Sequence, residues 1–202
     1  VSGFYKDFEK PIETVIDLES GDGDAITYMN VPTGQVLGLE LEAKKNLGFI
    51  SDAMKYFAVS ANLSLINSKV DIPEEEYMVI QSRDSSASRT RPLFGQSDYI
   101  ANFDVSYENP ENGFAASLNF NTFGDRLAAV SYGATPNIYE RSYGTLDFLT
   151  TKQFGDHFEL SFSIRNILDP DIVQSQEFKG KEFVNSSYKI GRAIKFGVKY
   201  RL

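Results

Sequence analysis

In seven stretches of about ten residues, apolar and polar side chains alternate position by position, and no other local pattern recurs as often. QVLGLELEAKK (35–45) sets Leu37, Leu39, Leu41 and Ala43 against Gly38, Glu40, Glu42 and Lys44. YFAVSANLSLI (56–66), DYIANFDVSYE (98–108) and FAASLNFNTFG (114–124) repeat the pattern, with Ile100 as an interruption. SYGTLDFLTTK (142–152) is weaker, HFELSFSIRNIL (157–168) is very regular, and IGRAIKFGVKYRL (190–202) closes the set. Residues 1–8 read as part of an eighth. Successive side chains of an extended chain point to opposite faces, so each stretch predicts a strand with one greasy and one polar face. No segment shows a sustained helical period.

Alternation alone fits both a soluble antiparallel sandwich and a membrane barrel, since either sheet has one wet face. Three features favour the barrel. The stretches approach the roughly 9 to 11 residues that span a bilayer, beyond the five or six usual in globular proteins. Charges stand at strand centres on the polar side (Glu40, Glu42, Asp104, Asp147, Arg165, Lys195), which suits a water-filled lumen. The apolar sides end in Phe and Tyr, as girdles at a membrane boundary do, although the chain has no Trp. The mean hydropathy of −0.28 suits either reading. No run reaches the 18 to 20 or so apolar residues of a membrane-spanning helix.

The connections are expected to separate by length. NPENG (109–113), FGDH (154–157) and the link at 46–55 are short, whereas 9–33, 71–91 and 169–187 are long and acidic. The connection near 128–138 is intermediate. Long outer loops facing short periplasmic turns are the barrel pattern.

Several chemistries are excluded or disfavoured. There is no Cys, hence no disulfide, thiolate or Cys-based zinc site, and the one histidine, His157, leaves no His-cluster metal centre. A net charge of −8 argues against nucleic acid as a partner. DLESGDGD (17–24) brings Asp17, Glu19, Asp22 and Asp24 together but lacks calcium-loop spacing, so it and PEEEY (73–77) read as solvated acidic loops. GQSDY (95–99) lacks the second glycine of a nucleophile elbow. Glu40 and Glu42 resemble an acid/base pair, yet charges on a barrel's inner face paired with a plug or with Arg165 and Lys195 are the simpler account. Arg83, Arg89 and Arg91 form a basic cluster in a long loop, suited to capturing an anionic ligand or simply solvated. No cofactor is expected.

The phrases GFYKDFEKPIE, NVPTGQVLGLELEA, FGQSDYIANFDVSYE, FNTFGDRL, IYERSYGTLDF, LSFSIRNILDP and GRAIKFGVKYRL, in this order and spacing, resemble the C-terminal part of a TonB-dependent outer-membrane receptor, in the style of the Bacteroidetes. The resemblance implies an all-β fold, an antiparallel transmembrane β-barrel of roughly 22 strands of which residues 1–202 would be about the last eight. It implies the outer membrane of a Gram-negative bacterium and active import of a scarce small solute, such as a siderophore, glycan, peptide or cobalamin, with no bond chemistry. The implied partners are outer-membrane lipid and lipopolysaccharide, an N-terminal plug and earlier strands, the TonB complex through that part, and the barrel-assembly machinery. The family's terminal assembly signal matches Lys195, Gly197, Tyr200 and Leu202, with Leu202 replacing the usual aromatic. VSGFYKDF reads as mid-strand, so a C-terminal piece of a longer protein is expected. The competing expectations are a small closed outer-membrane barrel with a structural or adhesion role, and a soluble carbohydrate-binding sandwich.

Overall fold

The structure, a computed structural model, describes residues 1–17, 25–83, 85–132 and 135–201, without the side chains of 17, 25, 83 and 132. Glu19, Asp22, Asp24, Leu202 and the side chains of Asp17 and Arg83 therefore lie outside the described residues.

Eight strands form one antiparallel wall: β1 (Ser2–Glu9), β4 (Thr33–Asn46), β5 (Phe57–Asp71), β7 (Tyr99–Asn109), β8 (Phe114–Phe123), β11 (Gly144–Phe154), β12 (Phe158–Arg165) and β15 (Ala193–Tyr200), each beside the next in this order. The short β6 (Thr90–Arg91) adds to the outer end of β5. Pairing keeps like with like across the wall. Val59 faces Val105, which faces Leu118, which faces Phe148, which faces Ile164, which faces Ile194. A slip of one residue would move a whole apolar row to the other face, so this match pins the register. Among the described residues β1 and β15 have no partner on their outer sides, so the wall is an open sheet and not a small closed barrel.

The wall has no dry core. Phe103, Leu160, Ile194, Phe196 and Val198 are 47%, 43%, 64%, 79% and 71% exposed. The accessible surface is 13027 Å², against roughly 9,500 Å² for a compact protein of this mass. Two sheets packed face to face would not leave such an excess, and a contiguous apolar face of this size is not a water-facing surface. At the short-turn end the apolar rows finish in rings that touch edge to face or tilted: Phe57 on Tyr107 at 4.8 Å and Phe158 on Tyr200 at 5.0 Å between centroids.

Three short connections (47–56, 110–113 and 155–157) lie at one end of the wall, the first carrying 3₁₀ turns at Leu47–Phe49 and Asp52–Met54. Four excursions leave the other end, and they are not plain loops. β2 (Ile12–Asp17), β3 (Ala25–Asn30), β9 (Arg126–Tyr132), β10 (Ile138–Glu140), β13 (Ile172–Phe178) and β14 (Lys181–Tyr188) form a second sheet ordered β14-β13-β10-β9-β2-β3. The stretches 9–33 and 169–187, expected as acidic loops, thus contain strands that continue the wall beyond sharp breaks. At the first break Lys10 takes a left-handed φ of 51° between β1 and Pro11, and Pro11 and Pro32, which lack an N–H, mark where the wall ladder stops. Lys10 N–H donates to Pro32 O (3.2 Å) and Val31 N–H to Pro11 O (3.0 Å), so the turn satisfies its own backbone.

The second excursion, between β5 and β7, supplies a helix, α1 (Glu74–Arg83). No helical period is visible there, and PEEEY reads as solvated loop, because the segment is barely amphipathic. Its cause lies at the N-terminus: Glu74, Glu75 and Glu76 occupy the first turn, where carboxylates meet the positive end of the helix dipole, just after Pro73.

The dry core sits in this outer layer. Val15, Leu127 and Val130 are at most 3% exposed and pack together with Met29 and Tyr139. β2 reaches β9 by a parallel pairing (Val15 with Val130, Ile16 with Ser131), although β5 and β7 stand between their parent strands in the wall. The β2–β3 hairpin therefore crosses over the outer end of β5 and β7. The face it covers follows from parity. Gly34, Val36, Ser64 and Val70 share the even-numbered face with Glu42 and Asn62, and Val36, Ser64 and Val70 are buried. A Cβ at Gly34 would meet Pro11 Cγ at 3.1 Å and Leu93 Cδ1 at 3.5 Å, so the backbone there is kept bare for the covering chain. The outer layer is a roof over the polar face of the wall.

Candidate functional site

Beneath the roof, the polar face carries two rows of side chains fixed by the strand register. One runs Glu42, Asn62, Asn102, Asn121 and Thr145 across β4, β5, β7, β8 and β11; the next runs Lys44, Ser60, Asp104, Asn119 and Asp147. Side chains directly opposite on neighbouring strands lie within contact distance. Asn121 Nδ2 donates to Asn102 Oδ1 (2.5 Å) and Asn102 Nδ2 to Asn62 Oδ1 (3.5 Å), so the amides form a chain along the row. Ser60 Oγ lies 3.5 Å from Asp104 Oδ1. All of these residues except Lys44 line a trough of ≈ 220 Å³ that includes Glu42, Asp104 and Asp147.

Of the six charged residues expected on this face, three meet in the trough. Glu40 lies one row away and accepts a hydrogen bond from Ser2 Oγ at 3.1 Å. Arg165 and Lys195 face Ala193 and Ser163, and neither forms an ion pair. Among the described residues no direct ion pair joins these two cations to the carboxylates. Asp147 is used differently: its Oδ1 accepts the backbone N–H of Asn166 at 2.8 Å, holding the break where β12 leaves the wall. Glu42 and Asp104 thus present negative charge amid four amides. That surface offers hydrogen bonds to polar or cationic groups, and among the described residues it holds no nucleophile–base pair.

Arg89 and Arg91 of the second excursion are committed to structure. Arg89 lies 4.4 Å over the Tyr77 ring and grips Glu74 through two nitrogens, at 2.7 and 3.2 Å. Arg91 is 5% exposed, between Glu13 of β2 (0%) and Glu76 of α1 (3%). Its Nε and Nη2 donate to Glu13 (3.2 and 2.5 Å), while Nη1 donates to Glu76 Oε1 (2.5 Å). Burial opposes the charge on Arg91, but the hydrogen bonds it donates to Glu13 and Glu76 outweigh it and raise the guanidinium pKa above its ordinary value. Arg89 and Arg91 therefore do not converge on a common opening.

Further ion pairs stitch the rest of the roof. Arg126 meets Glu140 at 2.6 Å, and Arg141 meets Asp125 and Glu182, each at 2.7 Å. The hydrogen bond from Ser175, then the charge of Arg141, lowers the Glu182 pKa below the usual glutamate range. Sequence reading missed Glu13 and Glu76 as partners of Arg91. Glu13 stands 78 residues from Arg91, and nothing local announces the pair.

In β15, Lys195 lies opposite Ser163, Gly197 opposite Ser161 and Tyr200 opposite Phe158. Arg192, just before this strand, donates from Nε to Ile167 O at 2.8 Å and so ties the end of β12 to the start of β15.

Comparison with known proteins accounts for this combination of wall and roof. Residues 1–167 match the family model described as TonB dependent receptor-like, beta-barrel. Among solved structures, the chain is similar to the copper transporter OprC (TM-score 0.64, 15% identity, covering 98% of this chain and 28% of that one). It is similar to the ferric citrate transporter FecA in its unliganded form (0.60, 13% identity, covering 84% and 24%). A mutant of the ferric enterobactin receptor PfeA from Pseudomonas aeruginosa gives a TM-score of 0.58 at 13% identity, covering 98% and 28%. The chain spans only about a quarter of the length of these structures. No curated protein matches at a significant level. The open antiparallel wall and the family match over 1–167 agree, and the chain belongs to the TonB-dependent receptor-like β-barrel family.

Proposed function

We propose that this chain is the barrel segment of an active importer in the outer membrane of a Gram-negative bacterium. The observation that carries this reading is the division of one continuous sheet into a register-matched apolar face and a polar face, within a chain of this family. The apolar face meets lipid, and the aromatic rows at the short-turn end mark the periplasmic boundary. The four excursions stand outside the cell, where lipopolysaccharide surrounds them.

The polar face lines the lumen. Glu40, Glu42, Asp104, Asp147, Arg165 and Lys195 face the plug domain or the passing solute, with Glu42 and Asp104 offering the uncompensated charge. Lys195, Gly197 and Tyr200 lie on β15 and match the pattern read by the assembly machinery, and the free edge of β15 pairs with another strand of the receptor. Transport consists of solute capture by the outer layer, a pull on the plug by energised TonB, and passage along the polar face. The chain supplies a path and no bond-making chemistry. The names of the similar structures run from copper to ferric citrate and ferric enterobactin, so the solute is a small polar species whose class the wall does not select. Arg89 and Arg91 serve the solute indirectly, through the shape of the roof.

The test is fractionation and uptake with the full-length receptor. The reading expects outer-membrane recovery, a folded band on unheated gels that shifts on boiling, and solute accumulation that stops without TonB. Extraction without detergent would overturn it.

A further inference from the structure

The charges of the polar face are sorted sideways, strand by strand. β4, β7 and β11 carry the carboxylates of Glu42, Asp104 and Asp147. The last two strands of the wall carry the opposite sign: Arg165 on β12, Lys195 and Lys199 on β15, and Arg201 just beyond it. Among the described residues Glu159 is the one carboxylate on the polar face of this pair, and Arg201 Nη2 holds it at 3.3 Å. Asp147, beside Arg165 on β11, accepts the backbone N–H of Asn166 instead. Both nearby counter-ions are thus engaged. Arg165, Lys195 and Lys199 are exposed, and none forms an ion pair among the described residues. In a chain of net charge −8 this stripe is a local inversion of sign.

The stripe is also shaped. Lys195 lies opposite Ser163 and diagonal to Arg165, a separation of roughly 7–8 Å that lets both long side chains reach one oxyanion. Gly197 follows on the same face, opposite Ser161, and a Cβ there would fall 2.4 Å from Ser161 Oγ. The Ser161 hydroxyl therefore leans over bare backbone between the two lysines. At about 3.3 Å per residue, Lys195 and Lys199 stand roughly 13 Å apart along the strand, with Lys199 nearer the short-turn end.

We propose that the polar face of β12 and β15 is an oxyanion track. Arg165 and Lys195 together, then Lys199, receive a carboxylate or phosphate group moving inward, and the hydroxyls of Ser161 and Ser163 donate hydrogen bonds to it on the way. The carboxylates of β4 and β7 repel the same group and keep it on this side of the face. Three exposed cations without fixed partners suit a hand-over and not a tight resting site. This rests on the reading of the face as the lumen, and it adds a charge preference to the small polar solute.

The test is the reactivity of Ser163→Cys in the full-length receptor in detergent, with the unsubstituted receptor as background. Two thiol reagents of similar size are compared, an anionic sulfonatoethyl and a cationic trimethylammonioethyl methanethiosulfonate. The anionic reagent is expected to react about tenfold faster at low salt, and the preference should fade as ionic strength rises. Combining Arg165→Gln, Lys195→Gln and Lys199→Gln should bring the ratio of rates to about one. Inorganic phosphate should slow the anionic reagent only while the three cations are present. Asn119→Cys, between Asp104 and Asp147, should favour the cationic reagent. A ratio at or below one with the cations intact overturns the track, because carboxylates from elsewhere in the receptor then already neutralise it. A ratio unmoved by the three neutralisations, or no reaction with either reagent, overturns it as well. Heat-modifiable migration is scored on every variant, so that failure of the barrel reading is told apart from failure of the track.

Discussion

The wall and the roof follow one another along the chain across sharp breaks yet are held together by different means. The wall has strict alternation, a long register and almost no buried side chains; its hydrogen-bonded ladder and a surrounding solvent of lipid define it. The roof has short strands, one parallel pairing, a small dry core and buried or half-buried arginines joined to carboxylates. The change occurs within single strands. β4 is polar on its even face at Glu40 and Glu42 but glycine or buried valine at Gly34 and Val36. A barrel strand can thus serve a water-filled interior at one level and a protein core at the next. The contrast teaches that the wall tolerates change by face, and the roof by partner.

The largest effect should fall on the roof alone. Arg91→Met leaves Glu13 and Glu76 buried without their cation, at a cost of about 3–5 kcal/mol. Amide exchange should speed in β2, β3 and α1 while the wall strands stay protected. Loss of protection throughout the wall would mean that the two regions fold as one unit.

Leu118→Arg places a cation in the middle of the apolar face, and a cost of about 2–4 kcal/mol is expected when unfolding is followed in a bilayer. Asn119→Arg, one residue along and beside Asp104 and Asp147, should change stability far less. Equal costs at the two sites would erase the distinction between faces.

Gly38→Ala sharpens the wall side of the contrast. A Cβ at Gly38 would fall 2.2 Å from Phe4 Cζ, so the ring that covers this glycine must swing away. The expected loss is about 1–3 kcal/mol, localised to the pairing of β1 with β4. Chemical denaturation of the full-length receptor measures it.

The smallest effect is a titration. Glu182 has its pKa lowered in the folded roof, chiefly by Ser175 and then by Arg141, so the unfolded chain binds the proton more readily. Its contribution to stability is full above the ordinary glutamate pKa and fades as pH falls through the lowered folded value. A carboxyl NMR titration should show Ser175→Ala returning Glu182 toward the ordinary value more than Arg141→Gln does.

The same contrast explains what could be read from the residues in advance. The alternation in YFAVSANLSLI and HFELSFSIRNIL exposes the wall because period two is a local property, written into every strand. It also placed Glu42, Asp104 and Asp147 on one face. The roof was opaque because its order comes from distant pairs. Nothing near Glu13 announces Arg91, and the acidic run at Glu74–Glu76 hides one buried carboxylate among exposed ones. Pro73 followed by three glutamates was the one available helix-start signal. Arg165 follows the Ile164–Phe148 pair and comes beside Asp147 on the neighbouring strand, yet no ion pair forms among the described residues, because strand register places backbones and not side-chain ends.

The central claim is that one face of this wall meets lipid and the other meets water. Single cysteines along β7, from Ala101 to Ser106, carrying spin labels in the full-length receptor in liposomes, test it most directly. The account predicts high oxygen and low aqueous-nickel collision rates at 101, 103 and 105, with the reverse at 102, 104 and 106. Equal access of the nickel reagent to both sets would contradict it.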